Sequence, residues 1–289
     1  MIGRVDIGVI GGSGVYQVEG AKVLDEIKID TPFGEPSDQI AIVDLGGRKC
    51  AFLPRHGKGH RYLPTEIPVR ANFWALKSLG VSNVLAISAV GSLDENYAPE
   101  EFVIPNQIID RTKFREQTLF GDGIAGHVSL ADPFCFELSK IVADAIRKNS
   151  DVTVHEAVTY LCMEGPAFST RAESHLYRHY SCGIIGMTAI PEAKIAREAE
   201  MAYSMIAMVT DFDCWREEEE AVNISEVMGH MKNNVAKIKN VLPSIIDAIP
   251  ENFKSSAHSA AEYAIMTSLD LVPPKTKKNL EIFYGKYWG

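Results

Sequence analysis

Two carboxylates two residues apart, Asp211 and Asp213, follow the apolar run Ile206–Val209 in the stretch MVTDFDCW. If that run is a strand, residues i and i+2 face the same side, and both acids project together at its end. Carboxylates that close cannot both ionise cheaply, so one holds its proton at neutral pH. Such a pair can protonate a leaving base with one member and accept hydrogen bonds from an exocyclic amine with the other. A 6-aminopurine asks for that combination at N7 and N6, whereas a 6-oxopurine would present an oxygen to the second acid. Metal binding and helix capping are the rival uses, and metal is the weaker because no further acidic cluster has ligand spacing.

Other groups suited to an anion recur at the ends of apolar runs. GVIGGSGVY (8–16) carries Gly11, Gly12 and Gly14 around the hydroxyl of Ser13. Glycine lets the chain turn tightly and lets main-chain N–H groups approach an anion. The third glycine of a dinucleotide fingerprint is missing, as is the Gly-Lys-Ser/Thr of a Walker loop. PRHGKGH (54–60) places Arg55 and His56 directly after a strand-like run, a planar fork for phosphate oxygens beside an imidazole. SAVGSL (88–93) adds the hydroxyl of Ser88 and the amide of Ala89, and IGMT (185–188) adds Met187 and Thr188. In MEGPAFSTRAES (163–174), Phe168 at a loop tip can stack on a base, with Arg171 and Glu173 in the first turn of a helix. Each piece also has a plain reading: a glycine turn, a basic surface loop, a core aromatic, a helix-terminal charge. Together they form a site for one free phosphate better than any does singly.

The elements that must position these groups alternate. Strand-like runs fall at Ile7–Ile10, Ile40–Asp44, Cys50–Leu53, Val84–Ala89, Phe102–Ile109, Val158–Cys162, Ile184–Met187 and Ile206–Asp211. Helical patterns fall at Glu66–Leu79, Phe134–Lys148, Thr170–His179, Glu192–Ala202, Ser225–Ile249 and near His258–Leu269. This implies an α/β chain with a mixed, largely parallel central sheet flanked by helices, and in such sheets ligands sit outside the carboxyl ends of the strands. The 289 residues, 46% hydrophobic, fit one large domain over 1–273 followed by a basic, aromatic-rich tail, 274–289, that docks on the body or on a neighbour.

A net charge of −9 and a pI near 5.4 argue against nucleic acid or an anionic membrane as the main partner. Five cysteines without a C-x-x-C pair read as reduced thiols and lend no support to a zinc site. With no leader-like start and no long apolar window, the expectation is a soluble cytoplasmic protein.

The chain resembles the methylthioadenosine phosphorylases, a branch of the trimeric purine nucleoside phosphorylase family. The resemblance rests on IGGSG (10–14), DTPFG (30–34), RHG (55–57), SAVGSL (88–93), IIDRT (108–112), ADPFC (131–135), EGPAFSTRAES (164–174), IGMTAIPEA (185–193) and TDFDCW (210–215). These occur in the family's order between about Ile7 and Pro273; the tail has no counterpart. The resemblance implies the nucleoside phosphorylase fold and attack of phosphate on C1′ of 5′-methylthioadenosine, giving adenine and 5-methylthioribose 1-phosphate. It implies phosphate held by Ser13, Arg55, His56, Ser88, Ala89 and Thr188, ribose against Met187, and purine flanked by Phe168 and Ser169. Asp211 would serve N7 and Asp213 the 6-amino group. Ile224 and Val227 would line the 5′ pocket, with His127 and Leu271 from a neighbouring subunit of a trimer or dimer of trimers. No cofactor is implied, since inorganic phosphate is the co-substrate. A phosphorylase for 6-oxopurine nucleosides or 5′-methylthioinosine is the near alternative, and a nucleoside sensor without turnover the distant one.

Overall fold

The computed structural model describes residues 5–12, 21–216 and 224–288, the side chain of Ile224 excepted. Nine strands form its sheet: β1 (Ile7–Gly11), β2 (Lys22–Ile27), β3 (Ile40–Leu45), β4 (Arg48–Pro54), β5 (Asn83–Ser92), β6 (Phe102–Asp110), β7 (Val154–Cys162), β8 (Ile184–Gly186) and β9 (Ala202–Asp211). Their order is β2-β3-β4-β1-β5-β8-β7-β6-β9, and β5 also pairs with β9. The sheet therefore forks at β5 and its second half curls back on itself. Pairings are parallel for β1–β4, β1–β5, β5–β9, β6–β7 and β7–β8, and antiparallel for the remainder.

The helices are α1 (Val69–Ser78), α2 (Phe136–Asn149), α3 (Arg171–His179), α4 (Ala189–Glu198), α5 (Ile224–Ala248) and α6 (Pro274–Tyr284). Leu138, Val142, Ala145 and Ile146 of α2 recur at helical spacing and are buried against Ile238, Leu242 and Ile245 of α5 and against the sheet. Each large aliphatic side chain of this kind contributes about 1.5–3 kcal/mol by leaving water. α3 starts where a capping box predicts: Glu173 N–H donates to Thr170 Oγ1 at 3.2 Å while the Glu173 carboxylate accepts from Thr170 N–H at 2.8 Å. Among the described residues no helix is long and apolar enough to cross a membrane.

Several boundaries differ from the pattern reading. α1 starts three residues after Glu66, because Ile67 precedes Pro68 and is held extended; Pro64–Glu66 forms a separate short turn of 3₁₀ helix. Ala202 belongs to β9, and β2 escaped the pattern reading because it is an exposed edge strand whose apolar residues, Val23, Leu24 and Ile27, neither alternate nor form a run. Residues 258–269 are not an α-helix. A 3₁₀ helix, Ser256–Ser259, gives way to short turns, and the chain then bonds to another segment, with Ala264 O accepting from His127 N–H and Met266 N–H donating to Ala125 O. The segment 274–289 carries α6, whose Leu280, Phe283 and Tyr284 are buried on the body of the same chain. Tyr284 Oη donates to Glu198 O at 3.1 Å, and Lys286 and Tyr287 both reach the Glu200 carboxylate at 2.6 Å.

Candidate active site

The carboxyl ends of β1, β4, β8 and β9 meet over the second half of β5 around a cavity of ≈ 340 Å³. Gly12, Arg55, His56, Ser88, Ala89, Phe168, Met187, Thr188, Asp211, Asp213 and Val227 all line it. β5 runs on to Ser92, so Ser88 and Ala89 lie within a strand that floors the cavity and not in a turn after it. Ser169 sits just behind, its carbonyl accepting from Cys214 Sγ at 3.2 Å. Ser13 and the side chain of Ile224 lie outside the described residues. His127 and Leu271 are exposed on the surface and absent from this cavity's wall, Leu271 with 71% of its surface open.

At the anion side, Arg55 is 2% exposed, and its Nε donates to Glu192 Oε1 at 2.5 Å and Nη2 to Oε2 at 3.2 Å. Nη1 donates to Ile87 O at 2.9 Å and Nη2 makes a long contact of 3.5 Å with Ile10 O. Four of the five guanidinium donors are thus occupied, leaving one N–H of Nη1 for an anion. Burial weakens the charge, but Glu192 outweighs it and holds the guanidinium above its usual range. Glu192 also accepts from Tyr203 Oη at 2.9 Å. The pattern reading left this glutamate as an ordinary helix residue, and no local signal marked it. Ser88 Oγ and Thr188 Oγ1 lie 3.0 Å apart, two hydroxyls facing one position from different elements.

His56 Nδ1 is 2.8 Å from Tyr62 O. A carbonyl only accepts, so Nδ1 carries the proton. Burial, aided by the Arg55 charge and the stacked ring of His60 at 4.1 Å, takes the imidazole down to about 4 against the Tyr62 bond. The ring is neutral at pH 7 and its Nε2 is a bare acceptor.

At the acid side, the sheet reaches its geometry by a route that strand alternation does not describe. Val90 pairs with Val209 but Gly91 pairs with Asp211, so β9 bulges at Thr210 and both Thr210 and Asp211 face the cavity. β9 ends at Asp211; Asp213 lies beyond it in a turn with φ +51°, and its N–H donates to Asp211 Oδ1 at 2.9 Å. The two acids meet through this turn, not through i, i+2 spacing on a strand. Thr210 Oγ1 is 2.7 Å from Asp211 Oδ2 and 3.2 Å from Val90 O. The hydroxyl donates to the Asp211 carboxylate in the shorter of the two contacts. Burial pushes the Asp211 carboxyl up against the bonds from Thr210 and the Asp213 N–H, and burial with the charge of Asp211 raises Asp213. Asp213 Oδ2 is buried with no hydrogen-bond partner among the described residues. Gly91 makes the approach possible, since a Cβ there would stand 2.9 Å from Asp211 Oδ1. Val235 and Met231, which spacing did not single out, extend the apolar wall begun by Val227.

An α/β sheet with a buried arginine and two facing hydroxyls across one cavity from a carboxyl pair belongs to a class that sequence comparison identifies. The chain belongs to the phosphorylase superfamily, whose family model matches residues 6–247. It is 47% identical over 286 residues to the S-methyl-5′-thioadenosine phosphorylase of Koribacter versatilis, covering 99% of this chain and 98% of that protein. With that of Chloroflexus aurantiacus it shares 49% over 284 residues, covering 98% of each. Among solved structures, a methylthioadenosine phosphorylase from an Antarctic soil metagenomic library superposes with a TM-score of 0.92 at 47% identity, over 97% of this chain and 99% of that one. The methylthioadenosine phosphorylase of Schistosoma mansoni in complex with adenine gives a TM-score of 0.83 at 36% identity, over 90% and 96%.

Proposed function

We propose that this chain catalyses phosphorolysis of 5′-methylthioadenosine to adenine and 5-methylthioribose 1-phosphate. The observation that carries the reading is the carboxyl pair beside Phe168, Asp211 with its carboxyl pushed up by burial and Asp213 with a buried oxygen unmet among the described residues, across one cavity from Arg55, His56, Ser88 and Thr188. The C1′–N9 bond breaks toward an oxocarbenium-like ribosyl, its electron pair leaving with N9. Asp211 supplies a proton at N7 as negative charge grows on the base, and Asp213 accepts from the 6-amino group. A phosphate oxygen forms the new bond to C1′. The proton lost by the entering hydrogen phosphate balances the one that adenine gains, and the unprotonated His56 Nε2 accepts a hydrogen bond from that phosphate hydroxyl.

The remaining assignments belong to the same proposal. Phosphate is held by Arg55, His56, Ser88, Ala89 and Thr188, with Ser13 added by resemblance; Met187 meets the ribose, and Phe168 and Ser169 flank the purine. Val227 faces the 5′-thiomethyl group, with Ile224 added by resemblance, and the adjoining Met231 and Val235 support an apolar occupant there. His127 and Leu271 complete the pocket of a neighbouring copy in a homotrimer, a reading supported by their exposure away from their own cavity. The reaction runs in the cytoplasm, as purine and methionine salvage, with phosphate as co-substrate and no cofactor. Residues 1–273 form the catalytic unit, and none of the described residues of 274–288 lines the cavity.

Incubation with phosphate and 5′-methylthioadenosine, adenosine, inosine or 5′-methylthioinosine, followed by chromatography of the free base, tests this. Adenine released fastest from 5′-methylthioadenosine, and only with phosphate, is the expected result. Faster release of hypoxanthine would overturn the assignment of the acid pair.

A further inference from the structure

We infer that Arg115, which lies outside the cavity wall, is the positioning residue that sets the purine-side loop against the sugar-and-phosphate turn. The inference rests on the phosphorolysis reading for its assay. β7 and β8 pair in parallel up to Cys162 and Gly186, and the last bond between them is Met163 N–H to Gly186 O at 2.9 Å. Beyond it the two chains diverge into the cavity wall without a ladder. One carries Met163 and Phe168, the other Met187 and Thr188. Their backbone carbonyls need another donor.

Arg115 reaches in from the segment after β6, the next strand in the sheet. Its Nη1 donates to Met187 O at 2.6 Å and Ile190 O at 2.5 Å, and its Nη2 to Glu164 O at 2.6 Å and Met163 O at 3.2 Å. Nε faces Glu164 Oε1 at 3.4 Å, and the other oxygen of that carboxylate accepts from Lys113 N–H. All five donors are used, the side chain is 3% exposed, and its charge is balanced in place. Two of the four carbonyls belong to Met163 and Met187, residues of the cavity wall itself. The segments also touch directly, since a Cβ on Gly165 would stand 2.6 Å from Met187 Sδ. A rigid planar fork therefore fixes two peptide planes on each side of the nucleoside's path. Lysine keeps the charge but has three donors on one nitrogen and no fork, so it cannot hold both segments in this geometry.

Misplacing reacting groups by about 1 Å costs on the order of 100-fold in rate. Arg115→Lys is therefore expected to lower kcat by about 10- to 100-fold while KM for the nucleoside stays within about threefold. Arg115→Ala is expected to regain kcat with added methylguanidinium but not with tetramethylammonium, which carries the same charge and no donor. The proposal is overturned if folded Arg115→Lys matches wild-type kcat, or if both cations restore Arg115→Ala equally. Wild type is assayed alongside on 5′-methylthioadenosine, adenosine and inosine. Failure to release base from any of them overturns the phosphorolysis reading and the inference with it, whereas wild-type turnover matched by Arg115→Lys overturns the inference alone.

Discussion

Replacing Glu192 by Gln tests the electrostatic frame of the anion site. The carboxylate accepts from Arg55 Nε at 2.5 Å, from Arg55 Nη2 at 3.2 Å and from Tyr203 Oη at 2.9 Å, and both side chains of the ion pair are 2% exposed. A glutamine has one acceptor oxygen, so its NH₂ must face at least one of these donors. Arg55 then keeps its charge in a buried place without a counter-charge. Losing one partner of a buried pair costs about 3–5 kcal/mol. With roughly 2–4 °C per kcal/mol for a chain of 150–250 residues, the melting midpoint should fall by about 6–20 °C. Phosphate supplies the missing negative charge, so it should stabilise the variant more than the wild type through linkage, where saturation at 100 times Kd is worth about 2.7 kcal/mol. Thermal melts by circular dichroism, with phosphate or with chloride at matched ionic strength, measure both effects. A variant midpoint within about 3 °C of wild type, or an equal phosphate shift in the two proteins, would refute the reasoning.

Asp211→Asn should lower kcat by about 100- to 10,000-fold with the protein still folded, since the amide has no transferable proton. Because burial raises the Asp211 carboxyl, wild-type kcat should decline as pH rises above the ordinary carboxylate range, and kcat measured across pH should show no such limb in the variant. His56 is depressed from 6.5 to about 4 in the folded chain, so the unfolded chain takes up its proton first as pH falls. Wild-type stability should therefore drop relative to His56→Asn between about pH 6.5 and pH 4, as urea midpoints across that window would show; parallel curves would count against a neutral buried ring. Gly165→Ala forces a Cβ onto a residue at φ +72° and to 2.6 Å from Met187 Sδ. A left-handed conformation alone costs an L-residue about 1–2 kcal/mol, and the displaced thioether should raise the nucleoside KM about tenfold, with an unchanged KM speaking against contact between Met187 and the ribose.

The acid pair, the Arg-His dipeptide and the hydroxyls at 88 and 188 were legible because each lies in or beside an apolar β-branched run, and such runs bring their carboxyl ends to one edge of an α/β sheet. How the acids meet was not legible. Alternation predicted a shared strand face, whereas a bulge at Thr210, set by the register against β5, and a left-handed turn at Asp213 do the work. Glu192 and Arg115 escaped for a related reason. Nothing about an isolated glutamate after a proline, or an arginine in a polar loop, says that it will be buried. Their roles exist only once Arg55, 137 residues away from Glu192, and the carbonyls at 163–164 and 187–190 converge on them.

The sequence by itself determined the α/β class, most strand positions and the chemistry on offer, because periodicity, turn residues and side-chain functional groups are properties of short stretches. Tertiary structure alone decided which donors were already spent, which oxygen was left unmet and which segments were held together. Those are properties of neighbours in space, and a buried charge or carbonyl has its energy set by whatever the fold brings within about 3 Å of it.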